Sequence, residues 1–173
     1  GEPVAFSGKV QKKPLELLKA LVAFGGENVA ESRLAEALWP DTDGDLALSS
    51  FNTTLYRLRK LLNNDRILKL TGSELSLDPR YCWTDAGTFE RLCREIEALF
   101  RGLTRRERHP GLEQLFERVM GLYGGPFLPT DTDQRWTTWM REYLRNRFLW
   151  MLMKAGNYWE ERTLWEKATE WYW

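Results

Sequence analysis

The stretch "LSSFNTTLYRLRKLLNND", residues 48–65, constrains the chain most. With successive residues 100° apart and Phe51 at zero, Ala47, Leu55, Leu58 and Leu62 all fall within about 40° of it. That stripe predicts a helix packed along one flank. Directly opposite lie Ser49, Thr53, Tyr56 and Lys60, flanked by Ser50, Asn52 and Arg57. A face that only meets water carries more Glu and Lys and no Tyr. This one carries short hydrogen-bonding side chains, with bases only toward its far end. Arg59 falls nearer the core edge, where an ion pair within the fold is expected.

Around this helix the order of elements is informative. "GEPVAF" and "SGKVQ" read as the tail of a β-hairpin, with Val4, Phe6 and Val10 as strand residues. One hairpin arm is a poor sheet, which suggests upstream strands and a longer parent protein. "KKPLELLKALVAFGG" predicts a first helix with Pro14 at its start. Leu15, Leu18 and Val22 form its stripe, widened by Leu17 and Leu21, and Gly25 and Gly26 end it. After the short connection "ENV", "AESRLAEALWP" predicts a second helix with Leu34 and Leu38 on one face, stopped by Pro40. "DTDGD" is a turn, with Asp45 as the N-cap of the third helix. "RILKL", the turn "TGSE" and "LSLD" then make a short hairpin. Strand, three helices and hairpin are the order of a winged helix-turn-helix, whose third helix reads DNA and whose hairpin is the wing.

From about residue 83 the strand signal disappears. Asp85 reads as the cap of a helix carrying Phe89, Leu92, Cys93, Ile96 and Leu99 at three- and four-residue spacing. The loop "RGLTRRERHPG" precedes a helix over "LEQLFERVMGLY", and "GGPFLPTDT" breaks the chain again. A long helix from about Gln134 to Ala155 follows, then a last one running to Trp173. Antiparallel helix pairs are the expectation here. The fold class is therefore mainly α, with a winged helix over 1–82 and an all-helical, TPR-like (tetratricopeptide-like) domain over 83–173.

Composition sharpens this reading and excludes others. At 173 residues the chain has room for one ordinary domain or two small ones. A hydrophobic content of 43% against 29% charged belongs to a folded chain. No apolar run nears the ~20 residues a membrane span needs, and no secretory leader is evident. Cys82 and Cys93 make no metal-ligand spacing, so a cytoplasmic location is expected. His109 is a lone histidine, with no set of ligands at metal-binding spacing around it and no activated nucleophile. "GLYGGP" lacks the lysine and the strand-then-helix setting of a phosphate loop. The expectation is thus a non-enzyme without metal or cofactor. Seven of the nine tryptophans lie after residue 130, spaced as helix core, with Trp171 and Trp173 at the end as candidates for self-association.

The formal net charge is zero, but the charges are segregated. From Glu27 to Asp45 the only base is Arg33, against Glu27, Glu31, Glu36, Asp41, Asp43 and Asp45. From Arg57 to Lys69 the only acid is Asp65, against Arg57, Arg59, Lys60, Arg66 and Lys69. The positive pole sits on the third helix and just beyond it.

"ENVAESRLAEALWPDTDGDLALSSFNTTLYRLRKLL" resembles the winged-helix domain of Streptomyces antibiotic regulatory protein (SARP) type activators, relatives of the OmpR-type output domain. The matching features are "LWPD", Ala47 and "LYRLRKLL". "YGGPFLP", followed by Trp136, Trp139, Arg141 and Glu142, resembles the bacterial transcriptional activator domain that follows it. "AGNYWEERTLWEKATEWYW" is similar to the start of a tetratricopeptide-type repeat. The resemblance implies sequence-specific binding of double-stranded DNA, often at direct repeats, and recruitment of RNA polymerase. It carries DNA contacts onto Ser49, Ser50, Asn52, Thr53, Tyr56, Arg57 and Lys60, with Arg66, Lys69 and Thr71 contributed by the wing. A homodimer through the winged helix or the Trp-rich C-terminal helices is a further expectation. The chain departs from the family pattern in its short N-terminal sheet, its less basic helical face and its repeat region of only one or two helix pairs. The alternative is a protein-interaction scaffold whose winged helix docks a partner instead of DNA.

Overall fold

The computed structural model describes residues 12–103 and 108–170. The expected strand residues Val4, Phe6 and Val10, most of "TRRER", and Trp171 and Trp173 lie outside them. The described chain is mainly helical with one small three-stranded antiparallel sheet. It divides into two compact units, one ending at Gly87 and also taking in Asp131–Met140, the other made of Thr88–Thr130 and the residues from Arg141 onward. A single boundary at 82/83 misses this return, because nothing in the sequence marks which side Asp131–Met140 packs against. No described helix is long and apolar enough to cross a membrane.

In the first unit the elements are α1 (Lys12–Ala23), β1 (Val29–Ala30), α2 (Glu31–Leu38), α3 (Gly44–Leu62), β2 (Leu68–Thr71) and β3 (Glu74–Leu77). α1 buries Leu17, Ala20 and Leu21, while Leu15, Leu18 and Val22 are half-buried. The stripe is therefore centred one residue away from the expected one, since small Ala20 and Ala23 let neighbouring elements approach on that side. Gly25 N–H bonds the Val22 carbonyl and Gly26 N–H that of Leu21, the paired bonds of a Schellman ending. Gly25 has φ +102°, which a side chain would resist. Lys13 caps another helix end, its Nζ donating to the Leu38 carbonyl at 3.0 Å. Glu16 is buried, and Lys12 and Lys13 at 3.6 and 3.0 Å compensate its charge.

"ENV", which reads as a mere connection, ends in a two-residue strand, Val29–Ala30. Val29 pairs with Leu75 and Ala30 with Glu74, giving the sheet order β1-β3-β2. The pairing extends at both ends. Leu77 N–H donates to the Gly26 carbonyl at 2.7 Å, and Glu31 N–H to that of Ser73 at 2.9 Å. Between them Asn28, at φ +51°, donates its N–H to Ser76 Oγ, whose hydroxyl returns a bond to Asn28 Oδ1. Two residues are too few for a periodic signal, but their buried backbone groups need partners and β3 supplies them. The hairpin turns on Gly72 at φ +60° and Ser73, the arrangement of a type II′ turn.

At the end of β3, Asp78 gathers the chain that leaves the sheet. Its carboxylate accepts from the N–H of Arg80 at 3.0 Å and from the Arg80 guanidinium at 2.9 and 2.5 Å. These bonds hold the carboxyl down at about 2, against the opposing cost of burial. Asp131–Met140 joins the same unit through Lys19, whose Nζ lies 2.8 Å from both Asp131 oxygens, and through buried Trp136, Thr137 and Met140.

Two helix starts differ from expectation. Asp43, not Asp45, is the N-cap of α3, its carboxylate accepting the Asp45 N–H at 3.2 Å. At the next helix Thr84 Oγ1 accepts the Gly87 N–H at 3.0 Å, ahead of Asp85, which lies in the first turn. In both cases the residue just outside the helix has the extended geometry or reach that a cap requires.

The second unit holds the bulk of α4 (Asp85–Phe100), then α5 (Pro110–Leu122), most of α6 (Thr138–Glu160) and α7 (Trp165–Glu170); a 3-10 turn, Arg135–Thr137, leads into α6. Leu92, Cys93, Ile96, Leu112, Phe116, Met151, Tyr158 and Trp159 form its core. Phe100, Phe116 and Tyr158 cluster, Phe100 meeting Tyr158 edge to face and Phe116 tilted against both, and Tyr123 stacks on Phe148 at 4.0 Å. Arg147 bonds Glu97 and lies 3.6 Å from Glu90, which accepts the Tyr143 hydroxyl at 2.8 Å. Arg141 donates to the carbonyls of Phe127 and Leu128 at 2.7 and 2.5 Å and so fixes the "GGPFLP" loop, where Leu128 takes φ +47°.

Phe51→Ala removes a wholly buried ring from the seam of α1, α2 and α3. It is expected to cost about 3–5 kcal/mol, measured by urea unfolding followed by circular dichroism. A loss below ~1 kcal/mol would mean the seam is not the core of this unit. A second measurement concerns Asp78. Its folded pKa lies below the unfolded value of about 3.9, so its contribution is present above that value and is lost as pH falls toward about 2. Wild type should melt above Asp78→Asn at pH 6, with the gap closing by pH 2. A gap unchanged between those pH values rules out the Asp78–Arg80 bonds as its source.

Candidate nucleic-acid interface

The outward face of α3 exists because the inward one is anchored. Ala47, Phe51, Leu55 and Leu58 are at most 3% exposed, and α3 packs on both α1 and α2. Thr54 joins this flank as a buried residue, and Leu62 at the frayed end is half-buried. With the helix thus fixed in rotation, Ser49, Asn52, Thr53, Tyr56, Arg57 and Lys60 are exposed and Ser50 is half-buried. From Ser49 to Lys60 the face runs about 16 Å along the axis.

Individual side chains differ in what they leave available. The Thr53 hydroxyl donates to the Ser49 carbonyl at 3.1 Å. Its donor is engaged within the helix, while its oxygen retains acceptor capacity. Asn52 keeps both an amide donor and an acceptor, the pair that matches an adenine edge. Tyr56 is 59% exposed and carries the Lys60 ammonium 4.6 Å from its ring centre, an i,i+4 pair that stiffens both side chains. Arg57 stands exposed on the flank. Arg59 differs from expectation: it makes no ion pair among the described residues, and its Nε is buried without an acceptor. Its half-buried position brings the guanidinium stem under cover without bringing a carboxylate to it.

The hairpin residues are also exposed. Lys69 and Thr71 alternate with Leu68 and Leu70, so they share one face of β2. Arg66 is not part of the α3 face. Its guanidinium lies 5.7 Å from the Tyr81 ring centre, and Arg80 approaches the same ring at 5.5 Å. A second cationic cluster therefore forms around Tyr81, with Asp78 as its carboxylate, against which Lys69 also acts electrostatically. Arg80 and Tyr81 escape notice in the sequence. Their only signal is an arginine and an aromatic following the second hairpin arm in "LSLDPRYC".

The charge segregation survives folding. Asp43 and Asp45 are exposed at the N-terminal end of α3, with Arg59 and Lys60 in its last turn. Both placements suit the helix dipole. The helix offers anions nothing at its start and cations at its end.

Other reactive side chains have local roles. His109 is the N-cap of α5, its Nδ1 accepting the Leu112 N–H at 3.1 Å. Cys93 is fully buried and its thiol is pushed up to about 12 by that burial; burial also raises the Cys82 thiol. Both cysteines are free. Among the described residues no group of three or more His, Cys, Asp and Glu side chains could hold a metal ion. The chain matches no protein-family model, and no curated protein sequence matches it.

Proposed function

We propose that this chain is a transcription regulator of SARP type that binds double-stranded DNA sequence-specifically. On this reading the first unit is a winged helix, α3 is the recognition helix and β2–β3 the wing. The second unit is then the TPR-like activator domain through which such a cytoplasmic protein would recruit RNA polymerase. One observation carries the reading. The flank of α3 opposite its buried stripe exposes an amide, hydroxyls, a tyrosine and two cations in one row. That set can hydrogen-bond base edges in a major groove and meet phosphates beside it. The Arg141 bonds that fix the "GGPFLP" loop support the comparison of the second unit with an activator domain, because they join the two parts of the motif on which it rests.

A protein-docking surface is the second reading, and it too has an observation in its favour. Tyr56 is largely exposed, and Asp43 and Asp45 flank the start of the helix, where they repel a phosphate backbone. Titration with a random-sequence duplex pool separates the two readings, since a docking surface does not select sites from it.

If Lys60, Arg66 and Lys69 neutralise phosphates, log affinity should fall against log salt with a slope between about −2 and −4. A flat salt response, measured by fluorescence anisotropy, would exclude the DNA reading. Arg57→Ala should cost about 1–3 kcal/mol on the selected site and relax preference at one base position. Equal weakening on every sequence would reassign Arg57 to phosphate.

A further inference from the structure

The second unit contains an open groove of about 470 Å³, lined by Glu97, Phe100, Arg101, Trp150 and Lys154. Its floor is aromatic. The Lys154 ammonium stands 5.7 Å from the ring centre of Phe100 and 5.1 Å from that of Trp150, bridging α4 and α6. Its charges do not balance. The one carboxylate, Glu97, is already hydrogen-bonded by Arg147. Arg101 and Lys154 act on Glu97 only from a distance, and among the described residues neither makes an ion pair of its own. The groove therefore holds two cations that share a single carboxylate with Arg147, beside aromatic ring surface that Lys154 only partly covers.

That combination selects a ligand class by elimination. An inorganic anion would satisfy the cations but leave the rings of Phe100 and Trp150 wetted. A neutral aromatic molecule would cover the rings but force Arg101 and Lys154 to lose hydration without return. The volume lies in the range of small-ligand sites, roughly 300–1,000 Å³. We infer that this groove binds a small aromatic carboxylate, its ring against Phe100 and Trp150 and its anionic group between Arg101 and Lys154. Arg101 supplies the planar fork that matches a carboxylate, and Lys154 supplies a point charge already held over the rings. The negative end of the α4 dipole lies close by and offsets part of this attraction. Affinity therefore rests on both halves of the ligand together. The site is independent of α3 and of the proposed DNA binding.

The test uses the whole chain without DNA and 1-naphthoate as the probe, with heats of binding measured by titration calorimetry. Binding with Kd below about 1 mM is expected. The uncharged 1-naphthamide should bind at least about tenfold more weakly, and inorganic phosphate should not displace the probe. Arg101→Gln and Lys154→Met should each weaken naphthoate at least about fivefold. Both side chains reach the surface, so the melting temperature should stay within about 2 °C of wild type, which separates lost binding from lost folding. No heat with naphthoate, equal binding of the amide, or full binding by the double variant would each overturn the site.

Discussion

The burial of one flank of α3 is the constraint on which the first unit depends. A helix carrying Ala47, Phe51, Leu55 and Leu58 along one line cannot rotate about its axis without exposing an aromatic ring and two leucines. At about 25 cal/mol per Å² of apolar surface, even a partial rotation costs several kcal/mol. α1 and α2 hold that stripe together, and Lys13 reaches across to cap the end of α2 and, with Lys12, compensates buried Glu16. The orientation of Asn52, Thr53 and Tyr56 is thus a consequence of packing on the side they do not face. Any partner of that row, nucleic acid or protein, meets a surface whose geometry is set before it arrives.

This explains what was legible in the amino-acid sequence. A stripe extending over four turns, as in α3, repeats its signal often enough to give both the helix and its inward face. The same holds for Phe89, Leu92, Cys93 and Ile96 in α4. Short elements have no such redundancy. Val29–Ala30 is two residues long, and only the partner strand, Leu75 and Glu74 some 45 residues away, makes it a strand. Capping fails for a related reason. Asp43 and Asp45 have the same side chain two residues apart, and only the backbone angles decide between them. The return of Asp131–Met140 to the first unit rests on Lys19 and on buried Trp136, contacts more than 110 residues apart in the chain that no local pattern encodes.

The candidate site divides along the same line. Exposure of the α3 row follows from periodicity, and all seven of its residues are where the helical wheel puts them, with Ser50 nearest the shoulder. The grouping of the cations does not follow from it. Arg66 reads as part of one basic run with Arg57 and Lys60, yet it stands against Tyr81 beside Arg80. Arg59 reads as half of an ion pair, and among the described residues no carboxylate meets it. Charge runs in a sequence count cations; they do not say which of them share a neighbour.

That distinction bears on how a largely neutral chain would engage a polyanion. Total charge governs long-range attraction, and here it is zero. At about 8 Å, the screening length in physiological salt is shorter than α3 itself. A phosphate near the end of α3 would then respond mainly to Arg57 and Lys60 and little to Asp43 at the opposite end. The acids at the start still act on whatever approaches them, so they favour a docking mode in which the C-terminal half of the helix lies closest to the backbone. Segregation of charge along α3 therefore fixes polarity. Phosphates would be drawn to the C-terminal half of the helix and held off its N-terminal end, whereas evenly mixed charges would make no such choice.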